Sequence, residues 1–233
     1  MRRGHDSGLR GALRMNRWTV RLAWILPLAS VLTAMAVHHF RGAANAPIIF
    51  ISQADYPGPE SLMFTLGLTV SGVWQGWTVW SMTAREPRPW SLERLVGLLA
   101  AFCVVVMANR SMYSHLDAHI LAATGIFLFG WVWLWLVQRR SRGFGASKGA
   151  AQRQMALWCV GIGFVMQFVG VAVALNVDAT VTLPTEGVGH PWWSVAALAE
   201  YLLVAGLWWG IATMELDVAR SREGSEAEIP SAS

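Results

Sequence analysis

Apolar residues gather into six long stretches along this chain, separated by short polar segments. The stretches lie near Trp18–Val37, Leu62–Met82, Leu92–Asn109, Leu116–Val137, Met155–Leu175 and Trp192–Met214. Each has about the 20 residues that a helix needs to cross a hydrocarbon core about 30 Å thick. The pattern predicts an all-α polytopic membrane protein: a single bundle of six transmembrane helices over residues 17–215. A basic tail (1–16) precedes it, and a Ser-, Glu- and Ala-rich tail (216–233), expected to be disordered, follows it. The six runs take up most of the 233 residues, so no separate soluble domain fits.

The polar breaks set the orientation. Arg2, Arg3, Arg10, Arg14, Arg17 and Arg21 precede or open the first run; Arg85, Arg88 and Arg94 follow the second; Arg139, Arg140, Arg142, Lys148 and Arg153 follow the fourth. On the other side stand only Arg41 and Arg110. Positive residues stay cytoplasmic, which places both termini in the cytoplasm, with the plasma membrane as the expected location. The net charge of +4 is then a topology signal and requires no nucleic-acid partner. Ala34-Met35-Ala36 resembles a signal-peptide cleavage site, but the apolar run before it is longer than a signal core, so the segment is read as a retained first span. Trp74, Trp77 and Trp80, Trp131, Trp133 and Trp135, and Trp208 and Trp209 form an expected aromatic belt on the cytoplasmic side. Cys103 and Cys159 fall at different depths, which argues against a disulfide.

The longest outer connection reads FISQADYPGPESLMFTLG over residues 50–67. Pro59 suits a first helical turn, where its missing N–H would be unpaired anyway. Glu60 then sits at the positive end of that helix. Beyond a plain helix start, this loop is expected to fold over the outer mouth of the bundle and present acids there.

Glu200 is the strongest anomaly, an acid well inside the last run. Such residues usually face a bundle interior or a wet cavity, either locking helices together or carrying function. His119 lies one turn inside the fourth run, and His115 precedes it at i−4 on the same face. That pair is a weak candidate for a divalent metal, with Asp55, Glu60, His190 or Glu200 as further ligands; no HExxH or CxxC accompanies it, and otherwise no cofactor is expected. Ser114-x-x-Asp117 resembles a capping box, and Asn109 and Arg110 stand ready to satisfy open carbonyls at the hairpin between the third and fourth helices. Asp55, Glu60, Asn109, His115, Asp117, His119, His190 and Glu200 all map to the outer half. They predict a polar binding pocket opening outward or into the outer leaflet. Glu200, His119 and Glu60 are its catalytic candidates and are expected to converge.

At these residues the chain resembles the Frag/DRAM/Sfk family of six-helix membrane proteins. Ile51, Ser52, Pro57, Pro59, Glu60 and Ser61, followed by Phe64 and Gly67, resemble its first-loop signature, with Gly58 separating the usual adjacent prolines. His119-Ile120-Leu121-Ala122-Ala123 resembles its V-H-x-x-G-A run, with Ala122 for the glycine, and Ala199-Glu200-Tyr201 resembles its last-helix motif. The family includes autophagy modulators, proteins that remodel GPI-anchor lipids and a regulator of phosphoinositide signalling. The resemblance implies a membrane protein that binds, organises or remodels lipids, with Glu60, His119 and Glu200 at matched positions. Two alternatives stand beside it. One is an intramembrane lipid hydrolase or transferase using the Glu/His cluster, with Ser52, Ser61 or Ser114 as nucleophile. The other is a proton-coupled transporter titrating at Glu200.

Overall fold

The computed structural model describes residues 16–44, 48–84, 90–142, 148–177 and 191–218. Among these described residues are six α-helices and no strand: α1 (Arg17–Phe40), α2 (Pro59–Thr83), α3 (Leu92–Ala108), α4 (Leu116–Arg142), α5 (Lys148–Val177) and α6 (Pro191–Ala212). A short 3-10 turn, Ile51–Asp55, stands between α1 and α2. Helices α1, α4, α5 and α6, the last continuing to Val218, are long and apolar enough to cross a membrane. Helix α3 has 17 residues, and α2 carries many Gly, Ser, Thr and Gln positions, so the pattern is weakest there. The tails, Arg85 and Arg88, and the α5–α6 connection with His190 lie outside the described residues.

Consecutive helices pack side by side, and α6 closes the bundle by touching α1 and α4 as well as α5. Half of the apolar window of α6 is buried, against 28–33% in the other three apolar helices, so α6 is the central one. Small residues let it in. A Cβ at Gly206 would meet Val160 Cγ2 at 2.8 Å, and Gly170 lies against Ala196. Such close approach is how helices gain packing where no hydrophobic force drives them together. Pro27 in α1 cannot donate to the carbonyl four residues back. The side chain of Gln75 in α2 donates to that Ala23 carbonyl instead, at 3.0 Å.

The two ends of the bundle differ. At the arginine end, charge pairs tie the helices. Arg21 meets Glu215 at 2.9 Å, joined by Trp24 Nε1 at 2.8 Å. Arg140 meets Glu93 at 3.1 Å. The fully buried Arg153 pairs with Asp217 and donates to Ser141 and Thr213 at 2.7 and 3.1 Å. The expected belt is divided: Trp77, Trp80, Trp131, Trp135 and Trp209 are exposed, but Trp133 is buried in the core. Trp74 and Trp131 donate to the Thr19 and Leu157 carbonyls, so these indoles also fasten helix to helix.

Replacing Gly206 with Val should overpack the α5–α6 contact and cost about 1–3 kcal/mol. The check is a lower melting temperature for the detergent-purified variant, with Gly76→Ala, at a roomier contact, changing little.

Candidate functional site

The loop end is built around an irregular segment that is buried rather than lying at the interface. Ile49, Phe50, Ile51, Gln53, Ala54 and Asp55 are all buried. Backbone that is not helical needs partners when water is excluded. Here α6 supplies two. Glu200 Oε2 accepts the Ile51 N–H at 2.7 Å, and the Tyr201 hydroxyl donates to the Ile49 carbonyl at 2.9 Å. Gln53 Oε1 accepts the Phe50 N–H at 2.8 Å, and Tyr113 donates to the Gln53 carbonyl at 3.3 Å. Burial pushes the Tyr113 hydroxyl up to about 12, so it remains a donor. Phe50 packs edge-on against Trp193, and Tyr56 against both Tyr113 and His38.

Around this segment the predicted residues separate into groups. His119 and Glu200 line one cavity of about 290 Å³, with Phe50, Ser52, Thr124, Gln167 and Trp193. It lies between α4, α5, α6 and the 3-10 turn, and the exposed Ile120, Phe168 and Leu175 flank its outer side. His119 Nδ1 lies 2.6 Å from the Arg110 carbonyl. A carbonyl only accepts, so Nδ1 carries the proton, and Nε2 of the neutral ring is an acceptor. His119 Nε2, Gln167 Oε1 and Trp193 Nε1 are buried with no hydrogen-bond partner. Three such atoms in one cavity are unusual, since buried polar groups are nearly always paired.

A second, apolar cavity of about 110 Å³ runs along the bundle axis. Along α6 it extends from Glu200 to Ile211, about 16 Å at the helical rise per residue. Ser52, Ala123, Phe127 and Glu200 line both cavities, so Glu200 stands where they meet. The Gln75 and Thr78 side chains in the axial cavity are committed to backbone carbonyls.

Glu60 lines neither cavity. It is fully buried in its own cluster, paired with Arg41 and 3.6 Å from His38 Nδ1. Arg41 neutralises it, and Gly58 makes the space: a Cβ there would collide with the Arg41 guanidinium and the Glu60 carboxylate. Asp55 accepts from the Ser61 hydroxyl at 2.7 Å. Burial pushes its carboxyl above the usual range, against the pull of Ser61, Ser111 and the nearby His119. The expected convergence of three residues is therefore a pair, His119 and Glu200, with Glu60 set apart.

Of the remaining candidates, Asn109 has a structural role. Asn109 ends α3 and donates to Thr69 and to the Val105 carbonyl, each at 2.8 Å. His115 and Asp117 are exposed and line neither cavity. The Ser114 hydroxyl meets the His115 ring at 2.9 Å instead of serving the expected cap, and His190 lies outside the described residues. His115 and His119 share a helix face, yet one ring is at the surface and the other is buried on Arg110. Among the described residues no group of three or more His, Cys, Asp or Glu is placed to hold a metal. Trp193, Gln167 and His38 were not among the predicted site residues. The signals for them are a lone amide in an apolar helix and a histidine pair at the mouth of α1.

The fold and site define a helical, membrane-compatible bundle with an internal, mostly apolar cavity that carries a few polar side chains. Compared with known protein families, curated proteins and solved structures, the chain matches none.

Glu200→Leu should leave the Ile51 N–H without its acceptor and cost about 1–3 kcal/mol. Hydrogen exchange at residues 49–55 should speed up markedly. Glu200→Gln, which keeps an acceptor in place, should perturb that segment far less.

Proposed function

We propose that the protein spans the plasma membrane six times, with both termini cytoplasmic, and binds membrane lipid to organise or remodel it. The observation that carries this reading is the pair of joined cavities. A chamber with a few polar side chains, beside exposed apolar ones, adjoins at Glu200 an apolar channel. The channel's length matches one leaflet of the hydrocarbon core, about 15 Å. A lipid entering between α4 and α5 would place its polar part at His119, Gln167 and Trp193 and one acyl chain along the axis. Lys and Arg concentrated at one end support the orientation. The outward apolar side chains of α2 and α3, such as Leu66, Val73, Leu95 and Phe102, support counting these helices as spans. The three segments that resemble the Frag/DRAM/Sfk family also support membership: Glu200 bonds Ile51, and His119 shares a cavity with Ser52 and Glu200.

One observation favours a second reading as a lipid hydrolase or transferase. The Arg110 carbonyl holds His119 in the tautomer of a general base, in a cavity also lined by Ser52 and Glu200. Turnover of an ester lipid by the purified protein, abolished by His119→Ala, separates that reading from binding alone.

Native mass spectrometry of the purified protein should reveal co-purified lipid, and Ala123→Phe, which fills the junction, should reduce it several-fold. A protein that carries no lipid overturns the reading. For topology, a cysteine at the exposed Ser114 should react with an impermeant maleimide on intact cells, and one at the exposed Gln152 only after permeabilisation.

A further inference from the structure

We infer that the ligand of this site is a neutral, hydroxyl-bearing lipid of the diacylglycerol type rather than a phospholipid. The inference rests on the lipid-binding reading above and adds the headgroup. The cavity offers acceptors at His119 Nε2, Gln167 and Glu200 and a donor at Trp193 Nε1. Among the described residues it offers no cation: neither cavity is lined by Lys or Arg. Neither Arg41 nor Arg110 lines a cavity. Arg41 is paired with Glu60, and Arg110 is exposed, with its backbone carbonyl engaged by His119. The sequence between α5 and α6, residues 178–190, contains no Lys or Arg.

A phosphate in this chamber would be a buried anion beside an acid and an imidazole lone pair, with no countercharge. That conclusion holds whether Glu200 is ionised or neutral, because neither form supplies positive charge. A hydroxyl fits the same atoms. It donates to His119 Nε2, and an ester carbonyl of the same molecule accepts from Trp193 Nε1. One acyl chain takes the axial cavity. The second leaves past Ile120, Phe168 and Leu175, which are exposed and line the chamber.

The test uses the full-length protein in detergent with an equimolar mixture of dioleoylglycerol, dioleoylphosphatidylglycerol and dioleoylphosphatidic acid. The acyl chains are identical, so only the headgroup discriminates. Native mass spectrometry should show the dioleoylglycerol adduct at about tenfold over either phospholipid, a difference readily resolved as an affinity ratio. His119→Phe and Gln167→Leu should each reduce that preference. Gln167 is only partly buried, so its variant serves if His119→Phe does not fold. Equal or greater retention of a phospholipid overturns the headgroup assignment and leaves lipid binding standing. Retention of none of the three overturns both.

Discussion

A single carboxylate accepting the backbone N–H groups of Ile51 and Ser52 organises the loop end of this protein. Glu200 sits mid-helix in the most buried element and holds the start of the 3-10 turn at Ile51. Without that acceptor, an irregular segment buried among helices would carry an unsatisfied donor, at a cost of about 1–3 kcal/mol. Tyr201, the next residue, takes the Ile49 carbonyl, so adjacent side chains of α6 hold both polarities of one strand of loop. Phe50, between the two anchor points, then packs on Trp193 and forms part of the polar cavity's wall. The cavity exists because the loop is held inside the bundle.

Its opening has a cause at the other end. Helices α4 and α5 are fastened near the arginine end, where Trp131 donates to the Leu157 carbonyl and Gln138 to the Ala150 carbonyl. Toward the loop end, the residues between them are Phe164, Gln167, Phe168 and Val171 facing His119, Ile120 and Thr124 across the cavity. Charge pairs concentrate where the helices must stay shut: Arg21 with Glu215, Arg140 with Glu93, Arg153 with Asp217. Such pairs stabilise little when solvated, but a fully buried guanidinium like Arg153 is costly to strip of its partners. The wedge between α4 and α5 is thus closed by polar ties at one end and left to apolar side chains at the other.

Helix number and approximate limits were legible in the chain, because each apolar run is long and its polar breaks are sharp. The helices outrun those limits; α5 begins at Lys148, since a helix continues past the hydrocarbon for as long as its backbone bonds are made. Glu200 and His119 were legible because an ionisable residue in an apolar run is expensive and therefore conspicuous. Glu60 looked equivalent, but pairing with Arg41 depends on a three-dimensional approach past Gly58 that no spacing rule encodes. Trp193 was hidden by its own commonness at interfaces, and Trp133 was misassigned to a belt that its burial excludes. Arg21, Arg140 and Arg153 were read for orientation alone, and their acidic partners Glu215, Glu93 and Asp217 lie far away in sequence.

What distinguishes Glu200 from the other acids is where it stands. Glu60 is neutralised by Arg41, Asp55 accepts from Ser61, and Glu93, Glu215 and Asp217 are spent on arginines. Glu200 accepts backbone N–H groups of the turn, Ile51 at 2.7 Å and Ser52 beside it, and among the described residues it is the one acid lining either cavity. A carboxylate has about four acceptor positions, so these backbone bonds do not exhaust it. Anchoring the loop and meeting a ligand are therefore compatible in one side chain. The loop bond also limits the side chain's freedom, which lowers the ordering cost when a ligand arrives. The same interaction that makes the fold possible thus presents the acid at the junction of the two cavities.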